Sequence, residues 1–184
     1  MAINLTKGQR IDVGLKHAGV GLGWDPNEQA SSQEYDLDAS AFMLGENGKL
    51  ISSDHFVFYN NLESPDASVI STGDNRTGAG DGDDETLMVQ LDKVDSRVQQ
   101  ILFVVTIHEA EERRQNFGQV RHAFIRIFDA DKGEEICKYE LDEDFSTESA
   151  VEFGRLYRRE GSWKFEAIGR GRQGGLTDLF NSLS

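Results

Sequence analysis

Residues 151–168 read VEFGRLYRREGSWKFEAI, and this stretch indicates the fold class. Two short runs that are apolar or alternate in polarity, 151–158 and 162–168, flank Glu160-Gly161. A glycine-containing pair between two such runs is typical of the tight turn of a β-hairpin. Because side chains alternate between the faces of a strand, each run can turn one face toward a core. The stretch is therefore predicted to form a hairpin.

Short runs of the same kind recur along the chain between turn residues. Eight further strands are predicted at 9–15, 20–24, 35–44, 55–60, 86–91, 101–108, 123–129 and 135–141. Helical periodicity is limited to 92–100, to a charged stretch at 109–115, and to the tail. In the tail, Leu176, Leu179, Phe180 and Leu183 fall on one helix face. The pattern predicts a mainly β fold: a β-sandwich of about ten strands with a few short helices and a C-terminal helix. With no repeat or linker, residues 1–184 are expected to form a single domain.

The composition excludes several classes of function. The chain has 33 Asp and Glu against 19 Lys and Arg, a formal net charge of −14, so it repels phosphate backbones and no nucleic-acid partner is expected. It has no run of about 18 apolar residues and no apolar leader, so we expect no membrane insertion and a cytoplasmic location. Its single cysteine, Cys137, excludes an internal disulfide and a thiolate metal cluster.

The acidic residues are concentrated in one part of the chain. Residues 25–85 contain 14 acids against Lys49 and Arg76, and therefore hold −12 of the net charge. Within them, GDNRTGAGDGDDE (73–85) places five acids and four glycines in thirteen residues. Carboxylates roughly 4 Å apart repel by about 4 kcal/mol at an effective dielectric constant near 20. Calcium, which takes roughly six to eight oxygen ligands, would remove this repulsion.

Three other segments offer oxygen atoms near the ends of predicted strands. In YDLDAS (35–40), polar side chains two positions apart share one strand face and leave the other face apolar. FVFYNN (56–61) ends in two amides, and GLGWD (21–25) ends in a carboxylate. The donors in these segments are Asp25, Asp36, Asp38, Ser40, Asn60 and Asn61. With the acidic stretch, they predict a discontinuous calcium site.

Two loop motifs that bind ions do not fit the acidic stretch. Counted from Asp74, an EF-hand would have Glu85 at its twelfth position, but Arg76 and Ala79 occupy positions that need a ligand and a glycine. A phosphate loop would need GK[ST] after its glycines, and the acids here would repel phosphate.

Two interpretations besides calcium remain open at this point. The acidic stretch can be a solvated loop without a ligand. Alternatively, DLDAS (36–40) has the form of the catalytic motif of haloacid-dehalogenase phosphatases, with Asp36 as nucleophile and Asp38 as acid. Three features count against that catalytic interpretation. Asp36 is not preceded by the buried apolar strand that the phosphatase fold needs. Only 45 positions separate Asp38 from Asp83, and no helical crossover pattern fills that interval.

Six segments together carry a family resemblance. They are GLGWD (21–25), DLDASAFML (36–44), FVFYNN (56–61), GDNRTGAGDGDDE (73–85), VVTIHEAEERRQNFGQV (104–120) and FGRLYRREGSWKFEAIGRG (153–171). In this order they resemble the TerD family of tellurite-resistance and general-stress proteins, over nearly the whole chain. The resemblance implies a cytoplasmic bacterial β-sandwich that binds about two calcium ions and is no enzyme.

The resemblance also implies a set of metal ligands. The family's acidic motif falls on Asp74, Asn75, Thr77, Gly80, Asp81, Gly82, Asp83, Asp84 and Glu85, and the other matching donors are Asp25, Asp36, Asp38, Asn60 and Asn61. No catalytic residue is implied. The leading hypothesis is therefore a calcium-binding stress-response module that acts by metal-dependent stabilisation and by interaction with other stress or tellurite-resistance proteins. The alternative is a metal-dependent phosphatase that uses the Asp36/Asp38 pair.

Overall fold

Two six-stranded β-sheets pack face to face, which confirms the predicted sandwich. The structure is a computed structural model that describes residues 3–24, 37–72, 85–107, 110–114, 117, 120, 122–141, 148–172 and 175–184. Its strands are β1 (Ile3–Asn4), β2 (Arg10–Asp12), β3 (His17–Gly23), β4 (Leu37–Leu44), β5 (Phe56–Val57), β6 (Val69–Ser71), β7 (Glu85–Gln90), β8 (Gln100–Ile107), β9 (Phe124–Asp129), β10 (Glu135–Glu140), β11 (Ala150–Arg159) and β12 (Ser162–Arg172). Its helices are α1 (Ala110–Arg113) and α2 (Leu176–Leu183). No helix in these ranges is long and apolar enough to cross a membrane.

The strand order brings distant parts of the chain together. The first sheet runs β1-β10-β9-β3-β7-β6, and the second runs β2-β12-β11-β8-β4-β5. The described strand pairs are antiparallel except for β1 with β10. At one side of the sandwich, β7 of the first sheet contacts β4 of the second, and β6 contacts β5.

The hairpin predicted from residues 151–168 is confirmed as β11 and β12. Arg159 pairs with Ser162, which leaves Glu160 and Gly161 as a two-residue turn. Both turn residues have positive φ, 53° and 79°, as a hairpin turn whose twist matches its strands requires. Glycine adopts this conformation without steric cost, so local sequence determines the position of the turn.

The main core lies between the sheets and is made of apolar side chains from both. Val20, Ile125, Phe103 and Phe165 are almost fully buried there. Cys137 also lies in this core, and burial raises the pKa of its thiol to about 12. The thiol is therefore neutral and enclosed at neutral pH, as a small core residue would be.

A second apolar cluster covers the outer face of the second sheet. It contains Phe42, Leu44, Leu102 and Val104, and Leu179 of α2 packs on them. Because the sandwich core covers one face of β4 and this cluster covers much of the other, β4 is buried at every position. The predicted amphipathic tail helix is confirmed, and it docks on its own sandwich.

The end of α2 is held by hydrogen bonds to the turn after β4. The carbonyl oxygen of Leu183 accepts a hydrogen bond from the amide of Leu50, at 2.7 Å. The Lys49 ammonium donates to the carbonyl of Ser182, also at 2.7 Å. These bonds satisfy carbonyls that the last turn of a helix leaves without an internal partner, so they fix the helix as well as its docking.

The helix predicted at 92–100 is wrong. The chain forms a short 3-10 turn at Leu91–Lys93 and then runs irregularly to β8. Arg158 explains the difference, because its guanidinium binds three carbonyl oxygens of this segment: Val98 at 2.8 Å, Val94 at 3.0 Å and Asp95 at 3.2 Å. A tertiary contact therefore satisfies backbone groups that helical bonds would otherwise satisfy.

The other differences from the predicted elements concern short segments. β1 and β6 were not predicted, because strands of two or three residues show no measurable alternation. The strands expected at 9–15 and 55–60 are shorter, at Arg10–Asp12 and Phe56–Val57. Of the helix expected at 109–115, the structure describes Ala110–Arg113 as helical.

Replacing Arg158 by alanine is expected to lower the free energy of unfolding by about 3 kcal/mol, because it leaves three carbonyls without their charged donor. It also removes the cation–π contact with the Trp163 ring, 4.5 Å away. Urea unfolding would measure the loss. Arg159→Ala is the matched control, since this neighbouring arginine is exposed, and it should change stability by less than about 0.5 kcal/mol. Equal midpoints for the two variants would contradict this role for Arg158.

Candidate metal centre

The carboxylate of Glu85 connects the two sheets. Glu85 begins β7 in the first sheet, opposite Leu22 of β3. Its Oε2 accepts a hydrogen bond from the backbone amide of Ala39 in β4 of the second sheet, at 2.5 Å. β5 pairs with β4 only at Ala41 and Phe42, so the Ala39 amide lies beyond that ladder. Glu85, which is only 7% exposed, provides the acceptor that a neighbouring strand would otherwise supply.

Asp38, the residue before Ala39 in the chain, is almost equally buried, at 8% exposed. Its neighbours Leu37 and Ala39 belong to the sandwich core, while Phe42, on the same strand face as Asp38, belongs to the outer cluster. The predicted separation of polar and apolar faces is thus confirmed for the described part of this strand. A buried carboxylate is costly unless hydrogen bonds or a cation compensate it.

Ser40 adds a polar oxygen to the same strand face. It is fully buried, and its Oγ forms no hydrogen bond with any of the described residues. Thr106 of β8, which pairs with Asp38 of β4, is buried as well. Most residues of β8 (QILFVVTI) are apolar. At this end of the outer face, however, the buried side chains of β4 and β8 are polar.

The ends of the two acidic segments meet at this place. β3 leads through the buried Trp24 into segment 25–36, β4 follows that segment, and Glu85 of β7 follows segment 73–84. β3 and β7 are neighbours in the first sheet, and β4 contacts β7 across the sandwich. The remaining predicted ligands of these segments lie outside the described residues: Asp25, Asp36, Asp74, Asn75, Thr77, Gly80, Asp81, Gly82, Asp83 and Asp84.

Asn60 and Asn61 lie in the turn that follows β5. The Asn61 side-chain amide donates hydrogen bonds to the carbonyls of Phe56, at 2.8 Å, and Asp54, at 3.2 Å. Its backbone pairs with Phe58 at 3.0 Å in both directions. Asn60 is exposed. The described contacts of Asn61 therefore belong to its own turn, and they do not bring it to Asp38 or Glu85.

Among the described residues, no group of three His, Cys, Asp or Glu side chains is arranged to hold a metal ion. Asp38 and Glu85 are two carboxylates, and the chemistry of this pair suits a hard cation that takes oxygen ligands. With Ser40 on the same strand face as Asp38, the described donors fit calcium in type. The other acids predicted to complete the site belong to segments that begin or end here.

The strand directions around Asp38 do not suit the phosphatase interpretation. β4 is antiparallel to both of its neighbours, β8 and β5. The phosphatase motif that DLDAS resembles sits at the end of a buried strand followed by a helical crossover, as a parallel sheet requires. In the second sheet β4 connects to β5 through residues 45–55, which form turns and a short 3-10 helix (Ser53–His55), so no α-helical crossover follows β4.

The fold and this site define a class of protein: a mainly antiparallel β-sandwich with buried carboxylates where two acidic segments enter the sheets. The TerD domain matches residues 1–183, and the chain belongs to the TerD family. The chain is 52% identical to the tellurium resistance protein TerD of Serratia marcescens, over 97% of this chain and 95% of that one. It is 51% identical to general stress protein 16U of Bacillus subtilis, again over 97% and 95%.

A solved structure supports the same fold. It is that of a homologue of telluride resistance protein (TerD) from Streptomyces coelicolor A3(2), with a TM-score of 0.75 at 22% identity. The match covers 91% of this chain and 96% of that one. The family assignment and the β-sandwich inferred from the sequence are thus confirmed, and the chain belongs to a family of tellurium-resistance and stress-response proteins.

Proposed function

We propose that this protein is a calcium-binding, non-enzymatic module of the bacterial stress response, which works in the cytoplasm. Metal occupancy would stabilise the sandwich and shape an acidic surface that other stress or tellurite-resistance proteins contact. The observation that carries the proposal is the buried Glu85 carboxylate, which joins β7 to β4 beside Asp38. Each of these buried carboxylates needs compensation by hydrogen bonds or by positive charge.

The chain supplies oxygen donors for such an ion from separate segments. Asp38 and Glu85 would contribute carboxylates from the two sheets, and the acids of 25–36 and 73–84 would complete the set. Calcium accepts carboxylates, amide oxygens and backbone carbonyls in flexible geometry. Magnesium requires a near-octahedral arrangement and retains water, so it suits a discontinuous, carboxylate-rich site less well.

A role in tellurium resistance does not require direct binding of tellurium oxyanions. Tellurite is an anion, and a protein of net charge −14 repels it. Reduction by a thiol is also disfavoured, because Cys137 is buried and its pKa is raised to about 12. The proposal therefore assigns the effect on resistance to protein interactions that calcium controls.

Isothermal titration of the purified chain with calcium tests the proposal directly. We expect saturable binding of about two ions, with magnesium much weaker at equal concentration. A parallel assay with a generic phosphate ester and magnesium tests the phosphatase alternative. Turnover that is lost in Asp36→Asn would favour that alternative, and the absence of any calcium heat would contradict the calcium site.

Two acids of the 73–85 stretch are predicted to be ligands. Asp83→Asn and Asp84→Asn should each weaken calcium binding by roughly tenfold or more, which corresponds to about 1.4 kcal/mol. Glu63→Gln and Glu160→Gln are the controls, since they remove one negative charge each from exposed positions outside the oxygen-rich segments. Calorimetry on all four variants would separate the two cases. A similar small loss in all of them would indicate diffuse electrostatics and no specific ligation.

A further inference from the structure

An open groove of about 400 Å³ lies between α2 and the turn that follows β5. It is on the outer face of the second sheet, and neither Asp38 nor Glu85 is among its described lining residues. Its volume falls in the range of about 300 to 1,000 Å³ that is usual for small-molecule sites. Of the predicted metal ligands, Asn61 is among the described lining residues, but its side-chain amide bonds within its own turn. The groove is therefore a separate feature from Asp38 and Glu85.

Four aromatic rings line the groove. Phe56 and Phe58 stack with centroids 4.3 Å apart, Tyr59 meets Phe58 edge-on at 5.2 Å, and Phe180 of α2 lies 5.4 Å from Phe56. Phe42 stacks below Phe56 at 4.5 Å and supports the group from the sheet. Tyr59 is 48% exposed, an unusual exposure for a large aromatic side chain packed in such a cluster. The groove thus presents aromatic surface to a ligand.

The charge at the groove is negative. Asp54 lines it, and no Lys or Arg is among the lining residues that the structure describes. α2 begins at the groove with Leu176 and Thr177, and Asp178 in its first turn offsets the partial positive charge of the helix N-terminus. The whole chain adds a net charge of −14. An anionic ligand is therefore disfavoured, and a cationic one is attracted.

We propose that this groove binds a small organic ammonium ion that carries an aromatic or aliphatic body. The body would lie on the rings of Phe56, Phe58 and Phe180, where apolar contact favours it. The ammonium group would face Tyr59 and the carboxylate of Asp54, which combine a cation–π contact with charge attraction. The Asn61 amide, already fixed by its bonds to Phe56 and Asp54, keeps the turn in shape.

Three probes of the same size distinguish the charge of the ligand. Protonated 2-phenylethylamine, neutral 2-phenylethanol and anionic phenylacetate would each be titrated at pH 7 into the full, calcium-loaded chain, with backbone amide NMR shifts as the measure. We expect the amine to shift the resonances of Tyr59, Asn61 and Thr177 saturably. The alcohol should bind at least about threefold more weakly, since it lacks the charge, and phenylacetate should not bind.

Variants at the rim test the same assignment. Asp54→Asn and Tyr59→Ala should each weaken binding of the amine by about threefold. Glu63→Gln is the control, because it removes an exposed charge from the next part of the loop and leaves the groove unchanged. Both rim positions are exposed, so the variants should fold, and their melting temperatures and calcium titrations should match the original chain.

Several results would overturn the proposal. Equal affinity for the amine and the alcohol would show an apolar groove without charge selection. No shift with any probe, or shifts only at residues away from the groove, would contradict binding in the groove. Concentration-dependent sedimentation that Tyr59→Ala abolishes would show that a second copy of the chain occupies the groove. Because calcium titration is a separate measurement, failure here leaves the calcium proposal standing.

Discussion

Removal of residues 176–184 is expected to lower the free energy of unfolding by roughly 3 to 5 kcal/mol. Leu179 is buried, and Leu176, Phe180 and Leu183 pack on the outer cluster while remaining partly exposed. Full burial of a large apolar side chain contributes about 1.5 to 3 kcal/mol, and partial burial contributes less. The deletion would also expose Phe42 and its neighbours on the sheet, which adds to the loss.

Denaturant unfolding of the truncated chain measures this effect, and point variants refine it. Leu179→Ala should cost about 2 to 4 kcal/mol, because it removes the side chain that enters the outer cluster. Asn181→Ala, at an exposed position of the same helix, should have little effect. Calcium affinity should not change in the truncated chain, since no predicted ligand lies in the tail. Binding of the amine should be lost, because α2 forms one wall of the groove.

An unchanged unfolding midpoint after the deletion would contradict the structural role of α2. If a protein partner were lost at the same time, the helix would belong to recognition. The packing of Leu179 and the hydrogen bonds of Leu183 and Ser182 to the turn after β4 argue against that outcome. A helix of eight residues is marginal in water alone, so it forms here because it docks.

Calcium is expected to raise the melting temperature by roughly 5 to 10 °C at a hundredfold excess over its dissociation constant. Binding to the folded state alone adds about 2.7 kcal/mol under that condition. For a chain of this size, each kcal/mol corresponds to roughly 2 to 4 °C. The gain should be large because the ion would relieve repulsion among the carboxylates that the proposal assigns to the site.

Calorimetric melting in calcium, in magnesium and with a chelator measures this shift. Magnesium should shift the curve much less than calcium, and the chelator should return it to that of the metal-free chain. Asp83→Asn should reduce the calcium shift, while Glu160→Gln should leave it intact. Identical melting curves in calcium and in chelator would contradict the proposal of a calcium site.

Local sequence patterns predicted those features that depend on neighbouring residues. Alternation at 151–158 and 162–168 and the Glu160-Gly161 pair predicted the hairpin, because strand period and turn geometry are local. Spacing of apolar residues predicted the tail helix and its docking face. The acid-rich composition of 25–85 also led us to predict a cation site, since charge clustering is visible without a structure, and that site stays a prediction.

For the site, the sequence indicated candidate donors but not how the fold arranges them. Sequence reasoning selected Asp38 and Glu85 as donors, and the structure places both, buried, at the same end of the sandwich. It did not indicate that Glu85 would bond the Ala39 amide, which lies 46 positions away in the chain. It also treated FVFYNN as a source of amide oxygens, whereas the structure assigns its aromatic rings to a groove with α2.

By itself, therefore, the sequence of this protein determined the family, the strand-rich character, the central hairpin and the amphipathic tail. Only the tertiary structure decided which sheet each strand joins, how Arg158 holds residues 94–98 out of a helix, and where Glu85 connects the sheets. The reason is physical. Periodicity, turn conformation and charge density depend on a few adjacent residues, whereas buried hydrogen bonds form between groups whose separation in the chain carries no local pattern.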